Sequence, residues 1–203
     1  MVDDRGDVPV SEHMFYLADT GINLRPPHDS TNGLASVHPG GIVVFTGISC
    51  GPVRVTVDAR DAPPSTADTE AWDEVLEVSV HAPVGRMVVS GVFSDAPELP
   101  VLTTAGPGDY RVRLHARGRD TAIDLGVLEP VEDYLVIAWP AQLAPETSLK
   151  NTDSYGAGRR RARRRGPAPA TGAEDRQAAL RARLRARLQA EDDKFHQHQR
   201  DNG

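Results

Sequence analysis

Apolar and polar residues alternate along most of this chain in short runs, and Gly or Pro interrupts them about every ten residues. Such a period of two belongs to strands with one wet face. His13–Ala18 is a short aromatic run, and Ile42–Ile48 is apolar and β-branched, entered through Pro39-Gly40-Gly41. Val53–Asp58 alternates cleanly, and the break Cys50-Gly51-Pro52 before it suits a hairpin or a tight corner. After the polar, Pro-rich stretch Asp61–Thr69, the run Trp72–Val80 fits either a helical turn or a strand, its second half alternating. Arg86–Phe93 follows the turn Pro83-Val84-Gly85, Leu99–Thr103 is shorter, and Pro107-Gly108-Asp109 leads into the alternating Tyr110–Ala116. Asp133–Trp139 closes on Pro140, which cannot donate to a ladder and marks a strand end. Seven to eight short strands without amphipathic helices between them predict an all-β domain, an antiparallel β-sandwich, over residues 10–145. A Rossmann-like sheet is excluded by the same pattern. Trp72, Tyr110 and Trp139 are expected as packing residues.

The pattern changes after Leu149. Residues 146–172 are polar, Arg-rich and hold Pro167 and Pro169, which predicts a basic flexible linker, as residues 1–9 predict a flexible N-terminus. Thr171-Gly172-Ala173-Glu174 matches a capping box, and Leu180, Leu184 and Leu188 follow at helical spacing, flanked by arginines. One amphipathic helix and tail is therefore expected over residues 173–203.

Charge sharpens this division. Residues 1–157 hold 10 Lys/Arg against 23 Asp/Glu, a net −13, whereas 158–203 hold 13 against 6, a net +7. At the seam stand Arg159, Arg160, Arg161, Arg163, Arg164 and Arg165. Such a run attracts phosphates or an acidic protein surface and weakens with salt. No aromatics interleave with it, so it is not a stacking platform for single strands. The arginines and the three leucines are the candidate partner-binding residues. The lone cysteine, Cys50, rules out an internal disulfide framework. The absence of an apolar stretch near residue 1, and of any window of about 20 apolar residues, leads to the expectation of a cytoplasmic protein without a membrane partner.

Catalytic chemistry finds little support. Gly47-Ile48-Ser49-Cys50-Gly51 fits G-x-S-x-G, but a hydrolase elbow needs a helix after the serine, and Pro52 with an alternating strand follows instead. Cys50 would need His81 or His115 brought beside it to act as a nucleophile. His13, His28, His38 and the pair His196 and His198 lack companion ligands at metal spacing. Phosphate-loop and dinucleotide signatures are absent. The expectation is no enzyme, no cofactor and no metal.

Read end to end, the body resembles the bacterial competence protein J family, also described as inhibitors of the DNA-entry nuclease. The resemblance rests on His13-Met14-Phe15 followed by Asp19, the glycine-led strand Gly40–Phe45, and the alternating Val53–Asp58. It continues through the pair near Val75–Val80 and Arg86–Phe93, the Pro107-Gly108-Asp109-Tyr110 turn into a long strand, and Tyr134–Ile137. It spans Glu12 to Ile137 and leaves the basic tail outside. The resemblance implies a non-catalytic domain that binds a protein partner, as an inhibitor or accessory factor of a partner such as a nuclease. The alternative is nucleic-acid association through the arginine run, with the sandwich as scaffold.

Overall fold

The computed structural model describes residues 3–24, 30–93 and 98–165. Among them are ten strands and one helix: β1 (Arg5–Ser11), β2 (Met14–Asp19), β3 (Ala35–His38), β4 (Gly41–Phe45), β5 (Cys50–Ala59), β6 (Glu74–Ala82), β7 (Met87–Ser90), β8 (Gly108–Arg117), β9 (Asp133–Pro140), β10 (Thr147–Asn151) and α1 (Ser154–Arg165). The strands form one sheet in the order β10-β6-β8-β9-β5-β1-β2-β4-β3, with β7 also paired to β2.

This is a correction to the expected antiparallel sandwich. The domain is all-β in its body, but the sheet is mixed: β9 runs parallel to β5 from Arg54↔Asp133 to Ala59↔Ala138. The segment after β5 crosses over and enters β6 in the same sense as β5, so β9, antiparallel to β8 as β8 is to β6, lies parallel to β5. The sheet also curls around a single core instead of splitting into two layers. Phe15 and Leu17 of β2, Ile42 and Val44 of β4, and Val53 and Val55 of β5 belong to one buried cluster with Leu76, Val78, Val112, Leu114, Tyr134 and Val136. Alternation in sequence specifies which residues face inward; it does not distinguish two facing sheets from one that closes on itself.

β1 lies largely within residues 1–9, expected as a flexible N-terminus, and it contains a proline, Pro9, which disfavours a strand interior. Pro9 sits directly opposite Pro52 of β5. The amide of Val57 donates to Asp4 O at 2.7 Å, so stepping along the register makes Pro9 and Pro52 a non-hydrogen-bonded pair. Neither proline removes a bond from the β1–β5 ladder, and residues 5–9 are strand where a flexible terminus was expected. The ambiguous run from Trp72 resolves as β6, in register with β8 from Glu74↔Ala116 to Ala82↔Gly108. Cys50-Gly51-Pro52 opens β5 as a corner, since β4 pairs with β2 and β3 and not with β5. The short strand expected at Leu99–Thr103 is irregular chain; Pro100 lacks a donor there, although Leu102 is fully buried.

The expected linker over 146–172 also departs from the structure in its first part. β10 pairs with β6, and α1 includes the whole arginine run. A basic composition fails to bury a core only when nothing compensates its charge, and here acidic side chains do so. Residues 166–172, and the helix expected beyond them, lie outside the described residues.

Both faces of β8 are covered. Arg111, Arg113 and His115 occupy the face away from the core, yet all three are buried. Glu77 of β6 accepts from Arg111 Nε at 3.2 Å and Arg113 Nε at 2.7 Å, while the carbonyls of Ala144, Pro145 and Thr66 accept the remaining guanidinium hydrogens. Charges enter a sheet face in this way only when paired and hydrogen-bonded.

Candidate partner-binding surface

α1 begins where two carboxylates meet its free amides. Asp153 Oδ1 accepts from Gly156 N at 2.8 Å as an N-cap. Asp120, from the loop after β8, accepts from Ser154 N at 2.7 Å and Tyr155 N at 2.8 Å. Both charges lie at the positive end of the helix dipole. Burial pushes the Asp120 carboxyl up, but these amide bonds hold it below the usual range.

The helix is anchored through Arg119, which has no exposed surface. Its Nε donates to Asp153 Oδ2 at 2.6 Å, and its Nη1 donates to the carbonyls of Gly33 at 3.0 Å and Phe45 at 3.1 Å. Glu74 lies 4.0 Å from Arg119 and 3.0 Å from Arg160 of α1. Arg159 places its guanidinium 3.8 Å from the centroid of the Phe45 ring. The first two arginines of the run are thus parts of the fold, and Arg161 is exposed on α1. Arg163, Arg164 and Arg165 lie in the last turn of α1. Leu180, Leu184 and Leu188 lie outside the described residues.

Burial raises Glu74 to about 7, with neighbouring Asp153 adding to the rise and Arg160 and Arg119 opposing it. A carboxyl whose pKa is higher when folded contributes most below its unfolded pKa and loses that contribution as pH rises through the folded value. Buried His115, whose pKa is lowered chiefly by burial, acts in the opposite sense, losing its contribution as pH falls through the ordinary histidine range. The midpoint difference between the natural chain and Glu74→Gln, measured by thermal unfolding, isolates the first effect. That difference is expected to move against the natural chain between about pH 5 and about pH 8. A flat difference would contradict the assignment.

The loop joining β8 to β9 presents a second, exposed feature. Asp124 N donates to Gly47 O at 2.9 Å, Ser49 N to Leu125 O at 2.9 Å, and Val127 N to Cys50 O at 3.0 Å. At its end Glu132, fully buried, accepts from Ile48 N at 2.7 Å, Gly47 N at 3.3 Å and Tyr134 Oη at 2.5 Å. The loop is therefore pinned to the 46–51 corner along its length. It nevertheless holds Leu128 at 94% and Leu125 at 60% exposure, with Ile123 and Val131 partly exposed beside them. Asp120, Asp124 and Glu129 are exposed on the same segment. Rigid apolar anchors with a charged rim form the usual centre of a protein interface. The sequence reading passed over this segment. The signal was the run Ala122-Ile123-Asp124-Leu125-Gly126-Val127-Leu128 between Gly118 and Pro130, too apolar for a solvated loop and not bounded as a strand.

The catalytic alternatives are not assembled. Cys50 is exposed at the start of β5, with a strand and no helix after Ser49. His81 is bonded to Asp109 at 2.6 Å, and His115 stands on β8, two strands from β5. His13 comes nearest to the corner, its amide donating to Ser49 O, but its ring faces Asp124 at 3.6 Å. Among the described residues no group of three His, Cys, Asp or Glu is arranged to hold a metal, and no helix is long and apolar enough to cross a membrane. Asp19, part of the sequence resemblance, has a structural role. It accepts from Val84 N at 2.6 Å, Arg86 N at 2.7 Å, Gly85 N at 3.0 Å and Thr20 N at 3.0 Å, clamping the β6–β7 turn.

Among solved structures, the chain is similar to one titled crocagin biosynthetic gene J, at 17% identity over 70% of this chain and 100% of that one, with a TM-score of 0.44. It is also similar to ComJ, inhibitor of the DNA degrading activity of NucA, from Bacillus subtilis, at 13% identity over 68% of this chain and 95% of that one, with a TM-score of 0.44. The second carries the competence protein J name that the sequence resemblance pointed to. No family model and no curated protein matches the chain.

Proposed function

We propose that this chain is a non-enzymatic protein-binding module, an inhibitor or accessory factor of a basic partner protein such as a nuclease. The observation that carries the reading is Leu128, 94% exposed on a loop pinned at both ends. A rigid loop that keeps leucines in water gains by burying them, at about 25 cal/mol per Å² of apolar area removed from water. Asp120, Asp124 and Glu129 around them favour a positively charged partner and speed its encounter. ComJ is an inhibitor of the DNA degrading activity of NucA, and a protein that acts on a polyanion favours positive charge at its substrate site, which an acidic surface complements.

The test compares capture by the natural chain with capture by Leu125→Asp/Leu128→Asp, two exposed changes that leave the core intact. The expected result is a basic partner retained by the first and lost by the second, with retention falling as salt rises. If that partner degrades DNA, adding the natural chain is expected to arrest it. Equal capture by both proteins would remove the reading.

Nucleic-acid association through the arginine run is the second reading, and it starts from fewer arginines than the sequence suggests. Arg159 lies against Phe45, and Arg160 pairs with Glu74. Its test is Arg161→Ala/Arg163→Ala/Arg164→Ala/Arg165→Ala, which leaves Arg159 and Arg160 in place, assayed against DNA and RNA beside the natural chain. Loss of retention in the variant, with steep salt dependence in the natural chain, is the expected outcome under this reading.

A further inference from the structure

On the face of the sheet away from the main core, β8 and β9 form the floor of a cavity of about 320 Å³. His115, Leu135 and Ile137 line that floor, Trp72 closes one side, and Thr66 of the segment after β5 contributes to the roof. The roof segment is fixed along its length: Arg60 N donates to Ala138 O at 2.8 Å, Arg113 Nη1 to Thr66 O at 3.0 Å, and Lys150 Nζ to Thr69 O at 2.9 Å. The cavity is therefore preformed, and its size falls at the small end of the range for ligand sites.

Its chemistry is specific. The Trp72 indole lies 5.3 Å from the His115 ring, with Arg117 stacked 5.1 Å from the indole. Both cations of the wall are already matched, Arg60 to Asp58 at 2.5 Å and Arg113 to Glu77 at 2.7 Å, and Asp68 is exposed to solvent and accepts from Glu70 N at 3.3 Å. An anionic ligand would find no cation there that is not already engaged. His115 is 1% exposed; the backbones of Leu135 and Asp68 lie beside its ring, but no hydrogen bond of good geometry reaches its Nδ1. A buried polar atom left without a good partner is costly, and a ligand's polar group can recover part of that cost.

We propose that this cavity binds a single uncharged planar ring bearing one hydrogen-bonding group, a phenol or similar, packed against Trp72 with its polar group on His115. The ring arrives either on a free small molecule or as an aromatic side chain of a bound peptide. This goes beyond the protein-binding reading and uses none of the residues of the 118–131 surface.

The experiment is an NMR titration of the full chain, following the backbone amides of Leu135 and Ile137, with p-cresol, toluene and N-acetyl-tyrosinamide as probes. Saturable shifts with p-cresol are expected, with toluene at least about tenfold weaker, as one hydrogen bond to a buried group implies. Trp72→Leu, a half-buried loop position, is expected to weaken p-cresol at least about fivefold through lost ring contact. His115→Phe is expected to narrow the gap between p-cresol and toluene. Binding of N-acetyl-tyrosinamide as tightly as p-cresol assigns the ring to a peptide, and its exclusion assigns it to a free small molecule; either supports the site. No saturable shift with p-cresol or N-acetyl-tyrosinamide would overturn the proposal. So would unchanged affinity in Trp72→Leu, or equal affinity for p-cresol and toluene.

Discussion

Arg119→Met is expected to lower the unfolding free energy by about 3–5 kcal/mol, the range for breaking a buried ion pair from one side. Methionine fills much of the arginine stem's volume, so the cost falls on what is left behind. Asp153 loses its 2.6 Å partner, and the carbonyls of Gly33 and Phe45 lose their donor. Asp153 and Glu74 then face each other with Arg160 as the remaining cation of the cluster. Urea unfolding followed by circular dichroism measures the change, and the thermal midpoint should fall by roughly 10 °C. Arg119→Lys is expected to recover little, because an ammonium has no planar fork to serve Asp153 and both carbonyls together. Adding Asp153→Asn to the methionine variant should recover part of the loss by removing a stranded charge. Arg161→Ala, exposed on the same helix, should stay within about 0.5 kcal/mol of the natural chain. A methionine variant equally close to it would mean that the cluster does not hold α1.

Gly47→Ala is the second large effect. A Cβ at this position would lie 1.9 Å from the carbonyl oxygen of Arg119 and 2.8 Å from its carbonyl carbon. Backbone on both sides cannot yield as a side-chain tip can, so the 46–51 corner and the start of the loop after β8 must separate. Overpacking of this kind costs about 1–3 kcal/mol and more where neither side relaxes. The damage should be local. Hydrogen exchange at the amides of Ser49, Asp124 and Val127, which tie corner to loop, is expected to accelerate at least about tenfold, while the β6–β8 amides stay protected. Gly158→Ala on α1, where a Cβ meets nothing within 4 Å, is expected to be neutral or to stabilise by up to about 1 kcal/mol. Unchanged exchange in Gly47→Ala would show that the loop is not held by this contact.

How far the sequence disclosed this depends on the element. The alternating runs at Val53–Asp58 and Tyr110–Ala116, and the run Asp133–Trp139 that closes on Pro140, are strands β5, β8 and β9, because alternation and a closing proline are local signals that need no context. The parallel pairing of β5 with β9 left no local trace, since it depends on how the segment after β5 crosses to β6. β1 contains Pro9, whose harmlessness depends on its facing Pro52 across a register unknown from sequence. The arginine run is conspicuous in sequence as a candidate for an acidic surface, its own domain's included; which arginines turn inward, Arg159 to Phe45 and Arg160 to Glu74, is a property of the fold. Leu125 and Leu128 could have been noticed as apolar residues in a Gly- and Pro-bounded stretch. Their exposure could not, because burial is decided by what packs over them.

The place of β9 in the sheet has a consequence during synthesis. β5 acquires its neighbour on one side from β1, which precedes it on the ribosome, but its other edge stays open until residues 133–140 emerge. For that interval the nascent chain carries an unsatisfied edge rich in valine, of the kind that recruits strands from other molecules. Translational pausing before residue 133, or release of chains shortened ahead of it, should therefore yield aggregates and not a smaller soluble domain.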